Sequence, residues 1–404
     1  MRVCIDISAA VHRRAGLGRY AQELTRALLD RELGEQPPAV SYSAFYHQRG
    51  QAHLDPPFER LPCITTSLSV KPWRLATMLA YLGGVGMERF FPGVDLFHAT
   101  EHLLPRFRRL PAIFTLHDLI FRFDPGSHKL LNRIYLSLMA PRFLRAARAV
   151  IAVSECTRRD AIRLYGLPEE KIHVIYEGVD ARFEPVRQPG LLQAVRQKYA
   201  LPQRFILHVG TIEPRKNLPR LFEAFSKLEA RSSTLALSQG DSAGELEAHD
   251  SQPVTHLVLA GKTGWLSDET FQCAKALGDR AIFTGYVADE DLPALYTLAD
   301  LLVMPSLYEG FGLPVLEAMR CGTPVACSNT SSLPEVAGEA ALLFDPRNVR
   351  SMAEAIGRGV SDTSLRAELS ARGLVQAAKF NWERAAQQTR QVYLEAARQN
   401  GRMG

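Results

Sequence analysis

The chain has 404 residues, 46% of them apolar and 23% charged, with a formal net charge of +5. This length exceeds one ordinary core and predicts two domains or more; the composition is that of a globular protein, and no apolar run reaches the ~18 residues that a membrane-crossing helix needs. The six cysteines are scattered with no C-x-x-C pair, which argues against a zinc framework and for free thiols in a reducing compartment.

Val3 to Ser8 predicts a buried strand, and Asp6 within it breaks what would otherwise read as the apolar core of a signal peptide. Gly18 to Leu33 carries Leu24, Ala27 and Leu28 at helical spacing. Val40 to Tyr46 predicts a second strand and Trp73 to Phe90 a helix. Val94 to His98 and Ala112 to His117 predict short strands that each end in a histidine. Lys129 to Ala146 predicts a helix bent at Pro141. A strand at Ala149 to Val153 is followed by Ser154 as the N-cap of the next helix, and Ile172 to Tyr176 predicts another strand. Strands alternating with helices predict a parallel sheet covered on both faces.

Arg182 to Pro202, with three prolines, interrupts this pattern and reads as a linker. The alternation restarts at Phe205 to Val209, with strands near 255–260, 281–284, 301–304, 324–327 and 341–344. Ser232 to Pro253 is rich in Ser, Gly, Asp and Glu and reads as a flexible surface insertion. Helices are predicted at Val349 to Arg358, Leu365 to Lys379 and Trp382 to Arg398. The fold class is therefore α/β, with two doubly wound Rossmann-like units in tandem. The predicted domains are 1–186 and 187–380, with a helix at 381–404 crossing back to the first. In such sheets ligands bind beyond the carboxyl ends of the strands, so two facing units are expected to hold the site in a cleft.

Pro305 to Met319 carries the most chemistry. An apolar strand, Leu301 to Met304, leads into Glu309, Gly310, Phe311 and Gly312, and Pro314 then suits the first turn of a helix running from Leu313 to about Arg320. A helix mouth offers unpaired N–H groups and partial positive charge, and glycines permit close approach, so this mouth suits a diphosphate. Glu309 before the helix and Glu317, read as lying in its first turn, can reach hydroxyl groups beside the phosphates. Alone, this pattern also fits a plain strand–turn–helix with a capping carboxylate. Gly210-Thr211-Ile212-Glu213-Pro214-Arg215-Lys216-Asn217 likewise follows a strand and opens a helix. Cations at a helix mouth oppose its dipole, a cost that a bound diphosphate would offset.

Other signals divide more evenly. His117 and Asp118 end a strand on the side where ligands bind, and His98, Thr100, Glu101 and His102 read as lining for an acceptor. Gly16 to Ala21 matches G-x-G-x-x-[G/A], but it does not directly follow the strand and no acidic residue ends the second strand. That argues against a dinucleotide site and favours a glycine loop over phosphate, with an ordinary helix entry as the alternative. Asp289-Glu290-Asp291 matches D-x-D, yet Asp289 as a helix N-cap explains it, so no metal is expected. Basic residues cluster at Arg106, Arg108 and Arg109 and at Arg142, Arg145 and Arg148. Either cluster fits a solvated face or peripheral contact with an anionic membrane. The aromatic–basic interleaving of single-strand binders is missing, so no nucleic acid partner is expected.

Taken together, the chain resembles a family 4 (GT4) retaining glycosyltransferase of GT-B fold over nearly its whole length. The resemblance rests on E-x7-E from Glu309 to Glu317, on Glu-Pro-Arg-Lys-Asn at 213–217, on Gly-Leu-Gly-Arg-Tyr at 16–20 and on His117-Asp118. Gly-Thr-Ile-Glu-Pro-Arg-Lys-Asn is similar to bacterial mannosyltransferases of polysaccharide assembly and points to GDP-mannose. The resemblance implies that Glu309 holds the donor sugar and Glu317 the ribose. It implies that Gly310, Phe311, Gly312 and Leu313, with Gly16 and Gly18, hold the diphosphate. Arg215 and Lys216 would stabilise its leaving charge, His117 would touch the transferred sugar, and Tyr286-Val287 would meet the base. Where many members carry arginine after the glycine, this chain has Thr211. The implied protein is cytoplasmic, at the inner face of the membrane where it is peripheral. It needs no metal or other cofactor and moves a hexose from a nucleotide-sugar to a glycan or lipid-linked acceptor. A UDP-sugar donor, an epimerase and a non-catalytic scaffold on the same fold are the alternatives.

Overall fold

The structure, a computed structural model, describes residues 1–32, 39–47, 54–124, 126, 129–238 and 256–400. It divides into two compact units, residues 1–178 with 380–404, and residues 179–379.

The N-terminal unit holds seven parallel strands: β1 (Arg2–Asp6), β2 (Ser41–His47), β3 (Cys63–Thr66), β4 (Leu96–Ala99), β5 (Ala112–Leu116), β6 (Ala149–Ala152) and β7 (Ile172–Val174). Their order is β3-β2-β1-β4-β5-β6-β7. The direction of winding reverses between β1 and β4, which pair through Val3 with Leu96 and Ile5 with His98. β3 escapes the sequence reading because Cys-Ile-Thr-Thr is a short, incompletely buried edge strand. The helix predicted from Trp73 to Phe90 is Val70–Leu82, ended by Gly83 and Gly84 and followed by a separate turn at Glu88–Phe90. Trp73, Phe45, Phe91 and Phe97 form an aromatic core beneath it. Ser154 caps the helix Glu155–Tyr165, its hydroxyl oxygen accepting from the Thr157 N–H at 3.1 Å. The last helix, Trp382–Asn400, packs on Ala15–Glu32, and Tyr393 reaches the sheet through His98.

The C-terminal unit holds six parallel strands: β8 (Phe205–Val209), β9 (His256–Ala260), β10 (Ala281–Gly285), β11 (Leu301–Met304), β12 (Val325–Ser328) and β13 (Ala341–Phe344). The order is β10-β9-β8-β11-β12-β13, so the winding reverses between β8 and β11, which pair through Leu301 with Ile206 and Leu302 with Leu207. Leu301 to Met304 is wholly buried, as a central parallel strand should be. Ile206, Leu221, Phe225, Val303, Phe344 and Met352 form its core. The helix after β8 runs Leu218–Ser238, so the first residues of the predicted insertion are helical; the remainder, 239–253, lies outside the described residues.

Candidate active site

In the C-terminal unit, the switch between β8 and β11 brings together the two loops that the sequence singled out. They are tied by backbone, the Leu307 N–H donating to Arg215 O at 2.9 Å. Asn217 joins them again. Its side-chain amide, on a residue only 3% exposed, donates to Pro305 O at 3.0 Å and to Pro346 O at 2.7 Å. Its φ of +58° is a conformation that asparagine tolerates better than most residues. Arg215 and Lys216 lie in the short turn Pro214–Lys216, and Asn217 separates that turn from the helix beginning at Leu218. The expected placement of both cations at a helix mouth is thus corrected: the left-handed Asn217 ends the turn before the helix starts.

Both cations close on Glu309. Lys216 Nζ donates to Glu309 Oε1 at 2.6 Å and Arg215 Nη1 to Glu309 Oε2 at 2.5 Å, while Arg215 Nε pairs with Glu213 Oε1 at 2.5 Å. Ser306 Oγ donates to Glu309 Oε1 at 2.7 Å. Burial alone would raise the Glu309 carboxyl, but the Arg215 and Lys216 charges outweigh it and hold the group down at about 2. Burial, then the neighbouring Arg215 charge, pushes the Lys216 ammonium below its ordinary value. Behind Lys216 lies His208, whose Nδ1 donates to Val303 O at 3.0 Å and whose buried Nε2 has no hydrogen-bond partner. Burial first, then Lys216, lowers His208 to about 4.

The loop from Glu309 to Gly312 is held from the next β–α turn. The Glu309 N–H donates to Ser331 Oγ at 2.9 Å, and Ser332 Oγ donates to Glu309 O at 3.0 Å and to Phe311 O at 2.6 Å. Gly312 has a φ of +122°, and a Cβ there would lie 2.8 Å from Leu333, so only glycine fits this entry to the helix Leu313–Arg320. Pro314 stands in its first turn. Glu317 is in the second turn, not the first; its carboxylate is buried and accepts from Tyr296 OH at 2.6 Å. Thr211 lies in the half-buried extended segment after β8. Val287 is buried beside the exposed Tyr286, whose ring carries the Lys262 ammonium 4.6 Å from its centre.

Asp289 is not the expected cap. The N-cap of the helix Leu292–Leu298 is Asp291, whose carboxylate instead accepts from Lys198 Nζ at 2.6 Å and Tyr199 OH at 2.7 Å. Among the described residues, no group of three or more histidine, cysteine or carboxylate side chains could hold a metal ion.

In the N-terminal unit, Gly16 and Gly18 are not in a loop: both lie in the first turn of the helix Ala15–Glu32. Gly18 packs on the short helix Ser8–Val11, where a Cβ would stand 3.0 Å from Ala9 O, so close backbone packing accounts for this glycine. His117, 7% exposed, donates from Nε2 to Thr100 O at 2.9 Å, and its Nδ1 faces Glu177 Oε1 at 3.5 Å. Tyr20 meets its ring edge-on at 4.7 Å. His98 does not line a site. It is fully buried between Tyr393 OH, 2.7 Å from Nδ1, and Thr115 Oγ1, 2.8 Å from Nε2. Glu101 pairs with Arg14, close to Asp6, and burial, then the Glu101 charge, raises Asp6 to about 7.

Sequence reasoning missed Ser306, His208, Tyr296, Ser331, Ser332 and Glu177, and it quoted Glu213 without foreseeing its pairing with Arg215. Ser306, three residues before Glu309, carried a local signal; Tyr296, Ser331, Ser332 and Glu177 are brought in by the fold.

The family model "Glycosyl transferases group 1" matches residues 193–375, and "Glycosyltransferase Family 4" matches residues 14–183. The chain is 37% identical to the O-antigen chain mannosyltransferase B of Escherichia coli over 74% of each chain. It is 34% identical to the serotype-specific mannosyltransferase WbdA of Escherichia coli over 68% of this chain but only 32% of that protein. The structure of a sucrose-phosphate synthase from Thermosynechococcus elongatus superposes with a TM-score of 0.73, covering 98% of each chain at 21% identity, a likeness of fold. With its two doubly wound parallel sheets of GT-B type, the chain belongs to the family 4 glycosyltransferases.

Proposed function

We propose that this glycosyltransferase moves mannose from GDP-mannose to a glycan or lipid-linked acceptor, with retention at the anomeric carbon and without a metal. The observation that carries this reading is the Glu309 carboxylate, gripped by Arg215 and Lys216 directly before the glycine-lined mouth of Leu313–Arg320. In this reading the N–H groups from Gly310 to Leu313 take the diphosphate, and Lys216 and Arg215 offset the charge that builds on it as it leaves. Glu309 accepts the sugar hydroxyls, Glu317 the ribose hydroxyls, and Thr211 and the backbone at Val287 border the nucleotide. The acceptor is assigned to the N-terminal unit, where His117 and the helix mouth at Gly16 and Gly18 are the candidate contacts.

The same geometry bears on the mechanism. A carboxylate held at about 2 is a poor proton acceptor at neutral pH. Glu309 therefore orients and does not act as the base. The family resemblance implies that the departing phosphate oxygen takes the acceptor's proton, with attack on the same face of the sugar and retention, and an orienting role for Glu309 is compatible with that. The mannose assignment is supported by the names of the mannosyltransferases that the chain resembles.

The test is a screen of the purified protein against GDP-mannose, UDP-glucose, UDP-galactose and UDP-N-acetylglucosamine, each with and without EDTA and with a mannoside acceptor. Turnover of GDP-mannose, undiminished by EDTA, is expected, with an α-linked product by NMR. Turnover of a UDP-sugar alone, loss of activity in EDTA, or a β-linked product would overturn the donor, the metal-free or the retaining part of the reading respectively.

A further inference from the structure

His117 and Glu177 meet at the carboxyl edge of the N-terminal sheet, the side on which α/β sheets bind ligands. His117 directly follows β5 and Glu177 lies shortly beyond β7, with β6 between those two strands. The His117 ring is committed on one side. Thr100 O can only accept, so the 2.9 Å contact makes Nε2 the protonated nitrogen and leaves Nδ1 with its lone pair in the neutral imidazole. The Tyr20 ring meets it edge-on, and Thr157 Oγ1 donates to His117 O at 3.2 Å, so ring and backbone are both braced. Glu177 is fixed by its neighbour. A Cβ on Gly178 would stand 2.4 Å from Trp382 N, so only glycine lets the chain pass there.

What faces the Nδ1 lone pair is a carboxylate oxygen. Glu177 Oε1 lies 3.5 Å away, whereas charge-assisted hydrogen bonds close to about 2.7–2.9 Å. The contacts around Glu309 do close, at 2.5 and 2.6 Å. Among the described residues none donates a hydrogen bond to the Glu177 carboxylate, although the residue is only 5% exposed. A buried carboxylate without donors is costly, and this one is not sealed: the two side chains keep 9% and 6% of their surface. Two acceptors side by side call for two donors. Adjacent hydroxyls of a sugar ring present two O–H groups at a comparable spacing. A phosphate brings further negative charge and acceptors and would be repelled.

We infer that His117 Nδ1 and Glu177 Oε1 form a clip for two neighbouring hydroxyls of a sugar, with Glu177 setting its specificity. The inference rests on the sugar-transfer reading above and adds to it a residue and a hydroxyl preference. The sugar is the transferred hexose or the end of the acceptor glycan; the chemistry is the same for both. The rival is an internal ion pair, in which a protonated His117 bonds to Glu177, braces the fold and reads no hydroxyl.

The test compares wild type and Glu177→Gln on the nucleotide-sugar that turns over in the screen above, GDP-mannose in our reading. One arm pairs monodeoxy analogues of that donor with the parent mannoside acceptor. The other pairs the parent donor with monodeoxy acceptors that keep the attacking hydroxyl. In the wild type, loss of a clipped hydroxyl should lower kcat/KM at least about tenfold, because it leaves the Glu177 carboxylate unpaired. The glutamine amide can donate to Nδ1 and close the clip from within. Glu177→Gln should therefore melt at the wild-type temperature, lower kcat/KM for the parent about tenfold, mostly through KM, and no longer distinguish parent from that analogue. Glu177→Asp, which keeps the charge on a shorter stem, should restore part of the preference. The arm in which discrimination collapses names the sugar that is held. If Glu177→Gln keeps the wild-type preference in both arms, whatever its turnover, the clip is overturned and the ion pair stands. A wild type inert toward all the nucleotide-sugars of the screen would overturn the transfer reading and the clip together.

Discussion

Lys216 Nζ lies 2.6 Å from Glu309 Oε1, and both side chains are buried. Lys216 depends on Glu309, since removing its hydrogen-bonded carboxylate leaves a buried ammonium poorly compensated, whereas Glu309 would still keep Arg215. Glu309→Ala is therefore expected to lower stability by about 3 kcal/mol and to abolish transfer, at least ~1000-fold in kcat. The double variant Glu309→Ala/Lys216→Met should recover most of the stability and none of the activity. Urea unfolding and single-turnover assays separate the two effects. Near-normal transfer by Glu309→Ala would remove Glu309 from the reaction.

Glu317 tests the donor side without touching that ion pair. It accepts from Tyr296 OH at 2.6 Å, so Tyr296 fixes its carboxylate. Glu317→Gln should weaken GDP binding about tenfold or more, by turning one acceptor oxygen into a donor, with a smaller change in kcat. Tyr296→Phe should have the same direction at lower magnitude. Titration calorimetry with GDP gives both numbers; unchanged affinity in Glu317→Gln would show that the ribose lies elsewhere.

Much of this architecture was legible in the residues. Strands such as Leu301 to Met304 are unbroken apolar runs, and Pro314 marks a helix start, so both elements could be read locally. The helix Val70–Leu82 was read too long because Val85, Met87 and Phe90 carry the apolar pattern past the Gly83-Gly84 stop into a separate turn at Glu88–Phe90. The site was legible in its composition and not in its pairing. That Arg215 and Lys216 spend their charge on Glu309 depends on β8 and β11 being neighbours, and no local pattern encodes strand order. His208 reads as one more residue of an apolar strand until the fold places it behind Lys216. Gly18 was ambiguous in the other direction: a glycine packed on a neighbouring helix has the same letter as one that cradles phosphate, and the sequence placed it in a loop where the chain is helical.

Asn217 offers a prediction about the loop junction. Its amide serves two buried carbonyls, Pro305 O and Pro346 O, and its backbone is left-handed. Asn217→Gly keeps the backbone and loses both of these hydrogen bonds and the one its Oδ1 accepts from Arg220 Nη1 at 2.8 Å, for an expected cost of about 2 kcal/mol. Asn217→Ala adds the left-handed strain of a residue with a Cβ and should cost about 1 kcal/mol more. Thermal unfolding of the two variants side by side measures the difference. Equal stability of Asn217→Gly and the wild type would mean that the amide contacts contribute nothing.

The last prediction concerns pH and the N-terminal unit. Burial, then the Glu101 charge, raises the Asp6 carboxyl from its usual value to about 7. In the unfolded chain the same group titrates near 4. Between those two values the folded protein holds a proton that the unfolded chain has released. The stability associated with this group is thus fully present below about 4 and is lost as pH rises through about 7. Asp6→Asn cannot ionise and cannot lose it. The variant should gain stability relative to the wild type as pH rises from about 4 to 8, with most of the gain accrued by pH 7. Urea unfolding of both proteins across that range gives the difference curve. A flat curve would mean that Asp6 is ionised throughout, and a curve falling with pH would mean that Arg14, not Glu101, sets its charge.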